Sequence, residues 1–346
     1  MIIIAPRCKA CTAVSSTISA SADPFQRSGH LPTAWQVPLE ELKIDESAIL
    51  GSGALGEVKR AIWNNGLEVA VKRLFFMATD ATALQAIGGA LDEAQRESVL
   101  RDFLKECSIR RINSSIRHPN IVMFLGVGVD RAASNEPRYL ILELMEQGSL
   151  HNELYPGGIS PRQGQPMALA RIVQILLNIA YALVYLHSRR PPILHLDLKP
   201  KNVLIDRSGT AKIGDLGEAH VIQSTQRTAL AATAGVFGIG TPLYMAPEMA
   251  IEGLSKGVAA DMFSLGVVAC EMSSGRPPNP GPSILRVSLR ELRPIPENER
   301  RASDIAAIQH AEIRELVGHL VLDDEAQRWN AIQVQSFLQS ILLDEQ

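Results

Sequence analysis

The stretch HLDLKPKNVLID, from His195 to Asp206, constrains the fold of this chain more than any other part of its sequence. It places a carboxylate, an ammonium group and a carboxamide within six residues, at Asp197, Lys199 and Asn202. A second carboxylate, Asp215, begins the sequence Asp-Leu-Gly nine residues after the stretch ends. Transfer of a phosphoryl group from a magnesium nucleotide requires a base for a hydroxyl proton, a cation beside the moving phosphate and oxygen ligands for the metal. The pattern therefore predicts two consecutive loops that share this chemistry.

This prediction depends on the combination of residues rather than on any one of them. A single aspartate is more often a turn or cap residue than a catalytic group. The order Asp-x-Lys-x-x-Asn, followed by Asp-Leu-Gly at this distance, makes the purely structural interpretation much the weaker one.

Length and charge restrict the class of protein further. A chain of 346 residues can bury a large core and predicts two or three domains or lobes. Lys and Arg total 34 against 37 Asp and Glu, a net charge of −3, so neither nucleic acid nor an anionic membrane is the expected partner. Of the four cysteines, Cys107 and Cys270 lie in apolar, helix-like segments. We therefore expect free thiols, a reducing compartment and a cytoplasmic location.

Residues 1 to 34 are rich in Ser, Ala and Thr and show no sustained period, which predicts a disordered tail or the cut edge of a longer protein. In the second case the chain would be the intracellular part of that protein. We expect no apolar run to approach the roughly 18 residues that span a bilayer, and hence no transmembrane segment. Cys8 and Cys11 have no second pair of ligands nearby, which argues against a zinc site.

A glycine-rich segment, GSGALGEV, lies between two predicted strands. The alternation after it, a turn at 64–66 and the sequence LEVAVK predict an antiparallel strand pair with Lys72 inside the second strand. Gly51, Gly53 and Gly56 let backbone N–H groups approach phosphate oxygens, because no Cβ atom intrudes. We therefore expect a flap over the phosphates of a nucleotide, with Lys72 as the point charge beside them.

The same glycine spacing also marks dinucleotide-binding folds. There the last glycine opens a helix and an acidic residue ends the next strand. Here a strand and an Asn-Asn-Gly turn follow the glycines, and a lysine lies within the next strand. This topology argues against a dinucleotide oxidoreductase.

Five motifs, in their order along the chain, resemble those of the eukaryotic protein kinase family. They are the glycine-rich segment, VAVK, the stretch HLDLKPKNVLID, DLG and the APE sequence at 246–248. WNNGLEVAVKRL and HPNIV-x-FLGV are most like the serine/threonine type and its tyrosine kinase-like group, the Raf and mixed-lineage relatives. The resemblance implies an α+β, bilobal fold. A small antiparallel β-sheet lobe with one key helix and a larger, mainly helical lobe would have an ATP cleft between them.

The implied kinase domain covers residues 35–343, with an N-lobe of about 43–143, a hinge of about 143–148 and a C-lobe of about 149–343. The implied reaction is in-line transfer of the γ-phosphoryl of ATP to serine or threonine hydroxyls of protein substrates, in a signalling role. The sequence carries no signal for an oligomeric state.

The resemblance implies a role for each polar residue of the two loops. Asp197 would orient and deprotonate the substrate hydroxyl, and Lys199 would screen the γ-phosphate. Asn202 and Asp215 would hold Mg²⁺, with Mn²⁺ as the alternative metal. Lys72 would contact the α- and β-phosphates of ATP.

In the family, a glutamate of the key helix pairs with the strand lysine. Glu106 in the sequence FLKE is preferred for this role, with Glu93 and Glu97 as competitors. The C=O of Glu143 and the N–H and C=O of Met145 would meet the adenine edge. The implied nucleotide contacts are Gly51, Gly53, Gly56, Val58, Ala70, Lys72, Glu143, Met145 and Leu204, the last forming the floor under the adenine.

The segment from Gly240 to Glu248, GTPLYMAPE, resembles the substrate-seating loop that closes a kinase activation segment. Arg328 is placed to pair with Glu248. The serines and threonines before this loop are candidate phosphorylation sites: Ser224, Thr225, Thr228 and Thr233. A complete seating loop argues against a kinase that acts on small molecules, because that loop seats an extended peptide.

Two departures from the family pattern bear on activity. Arg110 stands one turn after Glu106, where an apolar residue is usual, and this keeps open the alternative of a pseudokinase that serves as an ATP-binding scaffold. Leu196 stands where most members have the arginine that binds a phosphate on the activation segment. Because leucine cannot make that contact, we expect activity to be uncoupled from activation-segment phosphorylation.

Overall fold

The computed structural model describes residues 33–53, 56–64, 66–74, 118–133, 136–157, 166–216, 220–221, 243–250, 257–278 and 302–344. The chain divides into two compact units. The first comprises Met1–Leu91 with Phe124–Glu143, and the second comprises Asp92–Met123 with Leu144–Gln346. The predicted N-terminal tail lies outside the described residues apart from Thr33 and Ala34, which begin a short 3-10 turn.

The first unit is built on a mainly antiparallel sheet of six strands in the order β1-β5-β6-β4-β3-β2. The strands are β1 Gln36–Pro38, β2 Leu42–Gly53, β3 Gly56–Trp63, β4 Leu67–Leu74, β5 Phe124–Asp130 and β6 Glu136–Glu143. The strand expected before the glycine-rich segment is β2, and the antiparallel pair expected after it is β3 and β4. Strand β1 was not expected, and it pairs parallel to β5.

One face of this sheet forms the apolar core of the first unit. Side chains alternate between the two faces of a strand, so directly paired residues share a face. Ala61, Val69 and Val71 are fully buried on that face, with Val37 of β1 packed among them. Trp35 packs edge-on against Phe124, with ring centroids 5.6 Å apart. The segment before β2 therefore contributes Val37 to this core, and Leu39 packs against it.

The second unit is mainly helical. Its helices are α1 Leu150–Leu154, α2 Leu169–His187, α3 Ala259–Ser274, α4 Ala302–Ala306, α5 Ala311–Leu320 and α6 Ala331–Asp344. Its short strands are β7 Ile193–Leu194, β8 Val203–Ile205, β9 Ala211–Ile213 and β10 His220–Val221, paired as β8 with β9 and β7 with β10. Helix α2 packs against α6, and α3 packs against α5. The α+β class expected from the sequence is confirmed.

Helix α3 is the centre of the second unit. Every residue from Ala260 to Ser274 is buried, which explains why its apolar residues follow no single stripe. The helix ends at Gly275, which adopts the left-handed conformation (φ +68°) and donates its N–H to Glu271 O.

Helix α2 corrects one expectation. By length and composition alone it could cross a membrane, although the sequence was expected to contain no such run. In the structure, 56% of its most apolar window is buried inside the unit, and ten of its nineteen residues are buried. This burial is what a core helix of a large helical unit shows, and composition cannot distinguish it from a membrane helix.

Gly266 of α3 lies close to the C-terminal end of α5. A Cβ atom at this position would lie 2.7 Å from Leu320 Cβ and 2.8 Å from Val321 Cγ2. We expect Gly266→Ala to lower the free energy of unfolding by about 2 kcal/mol, because overpacking outweighs the better helix propensity of alanine. Urea titration followed by circular dichroism measures this change.

Gly318 of α5 provides the matched control for that experiment. It is exposed, and a Cβ atom there would meet nothing within 4 Å. Gly318→Ala should raise the free energy of unfolding by roughly 0.5–1 kcal/mol through helix propensity alone. Equal effects of the two substitutions would contradict the packing argument.

Candidate active site

The loop after β7 forms a closed network around Asp197. Lys199 Nζ donates to Asp197 Oδ2 at 2.6 Å. Asn202 Nδ2 donates to the same oxygen at 2.9 Å and to Asp197 O at 2.8 Å. Pro200 begins the 3-10 turn that carries Asn202 back toward Asp197, and its missing N–H is not needed there. The local sequence thus brings the predicted base, cation and amide into direct contact.

His195 connects this loop to the loop that carries Asp215. The Asp197 N–H donates to His195 Nδ1 at 3.3 Å, so the ring proton is assigned to Nε2. Nε2 lies 2.8 Å from Gly214 O and donates to it. Gly214 N in turn donates to Asn202 O at 2.8 Å. The residue before Asp215 is therefore held on both its N–H and its C=O.

Asp215 itself is exposed and has a left-handed backbone (φ +49°). Aspartate tolerates this conformation better than most residues with a Cβ atom. Leu216, which follows it, is buried at 2% exposure and anchors the chain in the apolar core of the second unit. The exposed carboxylate thus lies between Gly214, whose N–H and C=O are both hydrogen-bonded, and the buried Leu216.

Asp261, in the first turn of α3, binds the backbone at the start of the catalytic-type loop. Its carboxylate is fully buried and accepts from His187 Nε2 (2.8 Å), His195 N (2.9 Å) and Leu196 N (2.8 Å). Burial alone would raise the pKa of Asp261. The hydrogen bonds from His187 and His195 outweigh burial, so the pKa is lowered and the side chain stays ionised.

Leu196 takes a conformation that is rare for leucine, with φ at +62°. The cost is about 1–2 kcal/mol for a residue with a Cβ atom. Its N–H is held by Asp261, and its side chain is 7% exposed within the apolar core of the second unit. The residue that replaces the usual arginine is therefore a packed core residue.

The other predicted contacts in the second unit are Leu204 and Met145. Val203 and Ile205 of β8 are buried, while Leu204 points to the opposite, partly exposed face. The segment after Met145 is fastened to this strand, because Gln147 N donates to Ile205 O (3.2 Å) and Ile205 N donates to Gly148 O (2.8 Å). Met145 O accepts from Gly148 N at 3.1 Å, so one of its two lone pairs remains for another donor.

In the first unit the predicted nucleotide contacts share one face of the sheet. Val58 of β3 pairs with Gly51 of β2 on one side and with Lys72 of β4 on the other. Ala70 lies two residues from Lys72 on β4 and therefore points to the same face. This face is opposite to the one that carries Val69 and Val71. Gly53 and Gly56 pair with each other at the turn between β2 and β3.

Glu143 ends β6 and pairs with Val69, so its backbone is at the end of the sheet. Glu106, with its competitors Glu93 and Glu97, lies outside the described residues, as do Arg110 and the candidate phosphorylation sites at 224–233.

The ion pair expected between Glu248 and Arg328 is present. Arg328 Nη1 donates to Glu248 Oε1 at 2.6 Å, and Nη2 donates to Oε2 at 2.8 Å. The exposed fractions of the two side chains are 0% for Arg328 and 7% for Glu248. Arg328 also donates from Nε to Leu322 O and from Nη1 to Ala259 O. This bidentate ion pair fastens the C-terminal end of the seating loop, at Glu248, to the segment before α6, at Arg328.

The donor set of the loops suits a hard divalent cation. Both hydrogen bonds that described residues make to the Asn202 side chain use Nδ2, which directs the amide oxygen elsewhere. Mg²⁺ takes few protein ligands and completes its shell with waters and phosphate oxygens. One amide oxygen and the exposed carboxylate of Asp215 fit this requirement. Within the described ranges no cluster of three or more His, Cys, Asp or Glu side chains offers a separate metal site.

Sequence reasoning missed three residues of this region: His187, Tyr155 and Glu271. His187 is needed to hold Asp261, and the other two form a hydrogen-bonded pair. Each is unremarkable in its local sequence. For His187 and Glu271 the available signal was a polar residue in an otherwise apolar helix, as Glu271 is in VVACEMSS. Tyr155 follows the short helix LHNEL, which carries no such signal.

Comparison with known proteins agrees with the fold and the loop geometry. The family model for the protein kinase domain matches residues 44–338. The chain therefore belongs to the protein kinase family.

Its relatives within that family include serine/threonine-protein kinases of Arabidopsis thaliana. The chain is 32% identical to the kinase VIK over 247 residues and 30% identical to the kinase CTR1 over 268 residues, which are 70% and 76% of this chain. A RasGEF domain-containing serine/threonine-protein kinase of Dictyostelium discoideum is 30% identical over 261 residues, 75% of this chain. The matches cover 49%, 28% and 22% of these relatives' lengths. The serine/threonine, tyrosine kinase-like assignment is confirmed.

Proposed function

We propose that the chain is an active protein kinase that transfers the γ-phosphoryl of ATP to serine or threonine hydroxyls of protein substrates. The observation that carries the proposal is the network of Asp197, Lys199 and Asn202, linked through Gly214 to Asp215. The proposal includes a kinase domain at residues 35–343 and a cytoplasmic location. Both are proposals because the chain matches only part of the length of the named relatives.

The chain's own groups account for the proton and charge movements of such a reaction. Asp197 is held in one orientation by Lys199 and Asn202, and it would accept the proton of the attacking hydroxyl. The ammonium group of Lys199 would neutralise charge on the transferred phosphoryl group. Lys72 would do the same for the α- and β-phosphates.

Asn202 and Asp215 would hold the divalent cation. When bound, that cation supplies Lewis-acid neutralisation of the phosphate oxygens. The protein supplies positioning and fixed charge rather than a covalent intermediate.

The direct test combines nucleotide binding with transfer. Purified protein is incubated with radiolabelled ATP, Mg²⁺ and a degenerate peptide array whose acceptors are serine, threonine or tyrosine, and Mn²⁺ replaces Mg²⁺ in a parallel set. We expect label on serine and threonine peptides. A thermal shift with Mg·ATP but no label on any peptide would contradict transfer and indicate an ATP-binding scaffold.

The buried position of Leu196 leads to a prediction about control. Because its aliphatic side chain packs in the core, it offers no charge to a phosphate on the activation segment. Enzyme treated with phosphatase should therefore keep its activity within about two-fold, as measured with the best peptide of the array. A kinase of known phosphate dependence serves as the control that dephosphorylation was complete. Loss of nearly all activity would refute the uncoupling.

A further inference from the structure

A buried carboxylate lies at the end of α3, well along the helix from Asp261. Glu271 is 2% exposed, and a carboxylate in such a place is costly unless hydrogen bonds satisfy it. Its Oε1 accepts from the hydroxyl of Tyr155, and its Oε2 accepts from the hydroxyl of Tyr244 at 2.8 Å. Glu271 thus joins three parts of the second unit: the residue after α1, helix α3 and the segment that begins at Leu243.

Tyr244 is held on α3 at two points. In addition to the bond from its hydroxyl, its C=O accepts from Ser264 Oγ at 2.8 Å. Ser264 and Glu271 are seven residues apart, close to two helical turns, and so lie on one side of the helix. Four residues after Tyr244, Glu248 is fastened to Arg328. The segment 244–248 is therefore anchored at both ends.

Tyr155 is suited to a fixed role as a donor. It is 7% exposed, and its N–H is tied to His151 O at 2.9 Å as the chain leaves α1. Burial, followed by the neighbouring Glu271 carboxylate, raises the pKa of Tyr155 well above its ordinary value, so the phenol keeps its proton. Because a carboxylate is planar, a bond that fixes one oxygen also orients the other, which is the oxygen that Tyr244 uses.

We propose that Tyr155 is a positioning residue for the described part of the seating loop, residues 243–248. Tyr155 orients the Glu271 carboxylate, and that carboxylate in turn holds the hydroxyl of Tyr244. The significance of that segment for substrates rests on the proposed kinase function, but the anchoring does not. Tyr155 acts through Glu271, so its removal should affect the peptide substrate and leave the handling of ATP unchanged.

The test uses Tyr155→Phe, which removes one hydroxyl and keeps the ring. We expect the KM for the peptide to rise about five-fold, the order expected for the net loss of one hydrogen bond, while kcat and the KM for ATP change less than two-fold. Hydrogen exchange should show the amides of 243–250 exchanging about five-fold faster, with those of α3 unchanged.

Tyr181→Phe is the matched control. The Tyr181 hydroxyl accepts from Gln339 Nε2 at 3.1 Å within the same unit and is not bonded to Glu271 or Tyr244. Its removal should change neither the peptide KM nor exchange at 243–250. The double variant Tyr155→Phe/Tyr244→Phe should resemble Tyr244→Phe alone, because both hydroxyls act through Glu271.

The two measurements separate the proposals. Unchanged exchange at 243–250 in Tyr155→Phe overturns the positioning role whether or not the wild type transfers phosphate. Faster exchange with an unchanged peptide KM in an active enzyme also overturns it, because the contact would then be only structural. If the wild type transfers no phosphate, the proposed function fails, and the exchange result alone decides the anchoring.

Discussion

Asp215→Asn is expected to abolish phosphoryl transfer, with a loss of roughly 1,000-fold or more in kcat. The substitution removes the negative charge of one of the two side chains that we propose hold the metal, and a bound cation contributes several kcal/mol to stabilising the charge of the transition state. The fold should be preserved, because asparagine tolerates the backbone φ of +49° at this exposed position. Single-turnover assays with labelled ATP measure the loss, and urea unfolding checks the fold.

Asp324→Asn is the matched control for this prediction. Asp324 is also an exposed aspartate. Its Oδ1 accepts from the N–H of Ala326 at 2.9 Å, and it lies before the 3-10 turn Glu325–Gln327, outside the candidate site. Its replacement should leave kcat unchanged. Lys72→Met, in the other unit, should reproduce the loss seen with Asp215→Asn. Activity of Asp215→Asn within a few-fold of the wild type would remove this residue from the mechanism.

Arg328→Met is expected to lower the free energy of unfolding by about 3–5 kcal/mol. The substitution leaves the Glu248 carboxylate buried with its cation removed, and breaking one side of a buried pair costs on this order. The backbone carbonyls of Leu322 and Ala259 also lose a donor. Urea titrations followed by circular dichroism should show a lower midpoint at an unchanged slope.

Arg171 offers a control that is also a bidentate ion pair but lies in a more exposed environment. Its guanidinium donates to both carboxylate oxygens of Glu153, at 3.0 and 2.9 Å, but the two side chains are 22% and 30% exposed. Arg171→Met should therefore cost only about 1 kcal/mol. Replacing both buried partners, as in Glu248→Leu/Arg328→Met, should recover part of the stability lost by Arg328→Met. A cost for Arg328→Met no greater than that for Arg171→Met would contradict the burial argument.

The local sequence was sufficient wherever the chemistry is short-range. The bonds of Asp197 to Lys199 and Asn202 span two and five residues, so the motif and its proline turn contain nearly all the information for that network. Strands β2 to β4 were also predictable, because alternation and an Asn-Gly turn specify an antiparallel pair. The pairing of Glu248 with Arg328 was expected only through resemblance to the family, since 80 residues separate the two.

The remaining features depend on contacts that local sequence does not encode. The pleat of strands β3 and β4 and their register decided that Val58, Ala70 and Lys72 share one face. The apolar composition of α2 fits a membrane as well as a core, and its packing against α6 could not be read from that composition. Strand β1 is three residues long and carries no detectable period, so its pairing with β5 had to be observed.

The sequence by itself indicated the family and the candidate reacting groups, because these depend on residue types at fixed short spacings. Tertiary structure alone decided how those groups are held. Asp261 reaches the catalytic-type loop across 66 residues, and Tyr155 reaches Glu271 across 116. A buried carboxylate must find its donors wherever the fold brings them, so its partners follow from packing and not from the neighbouring sequence.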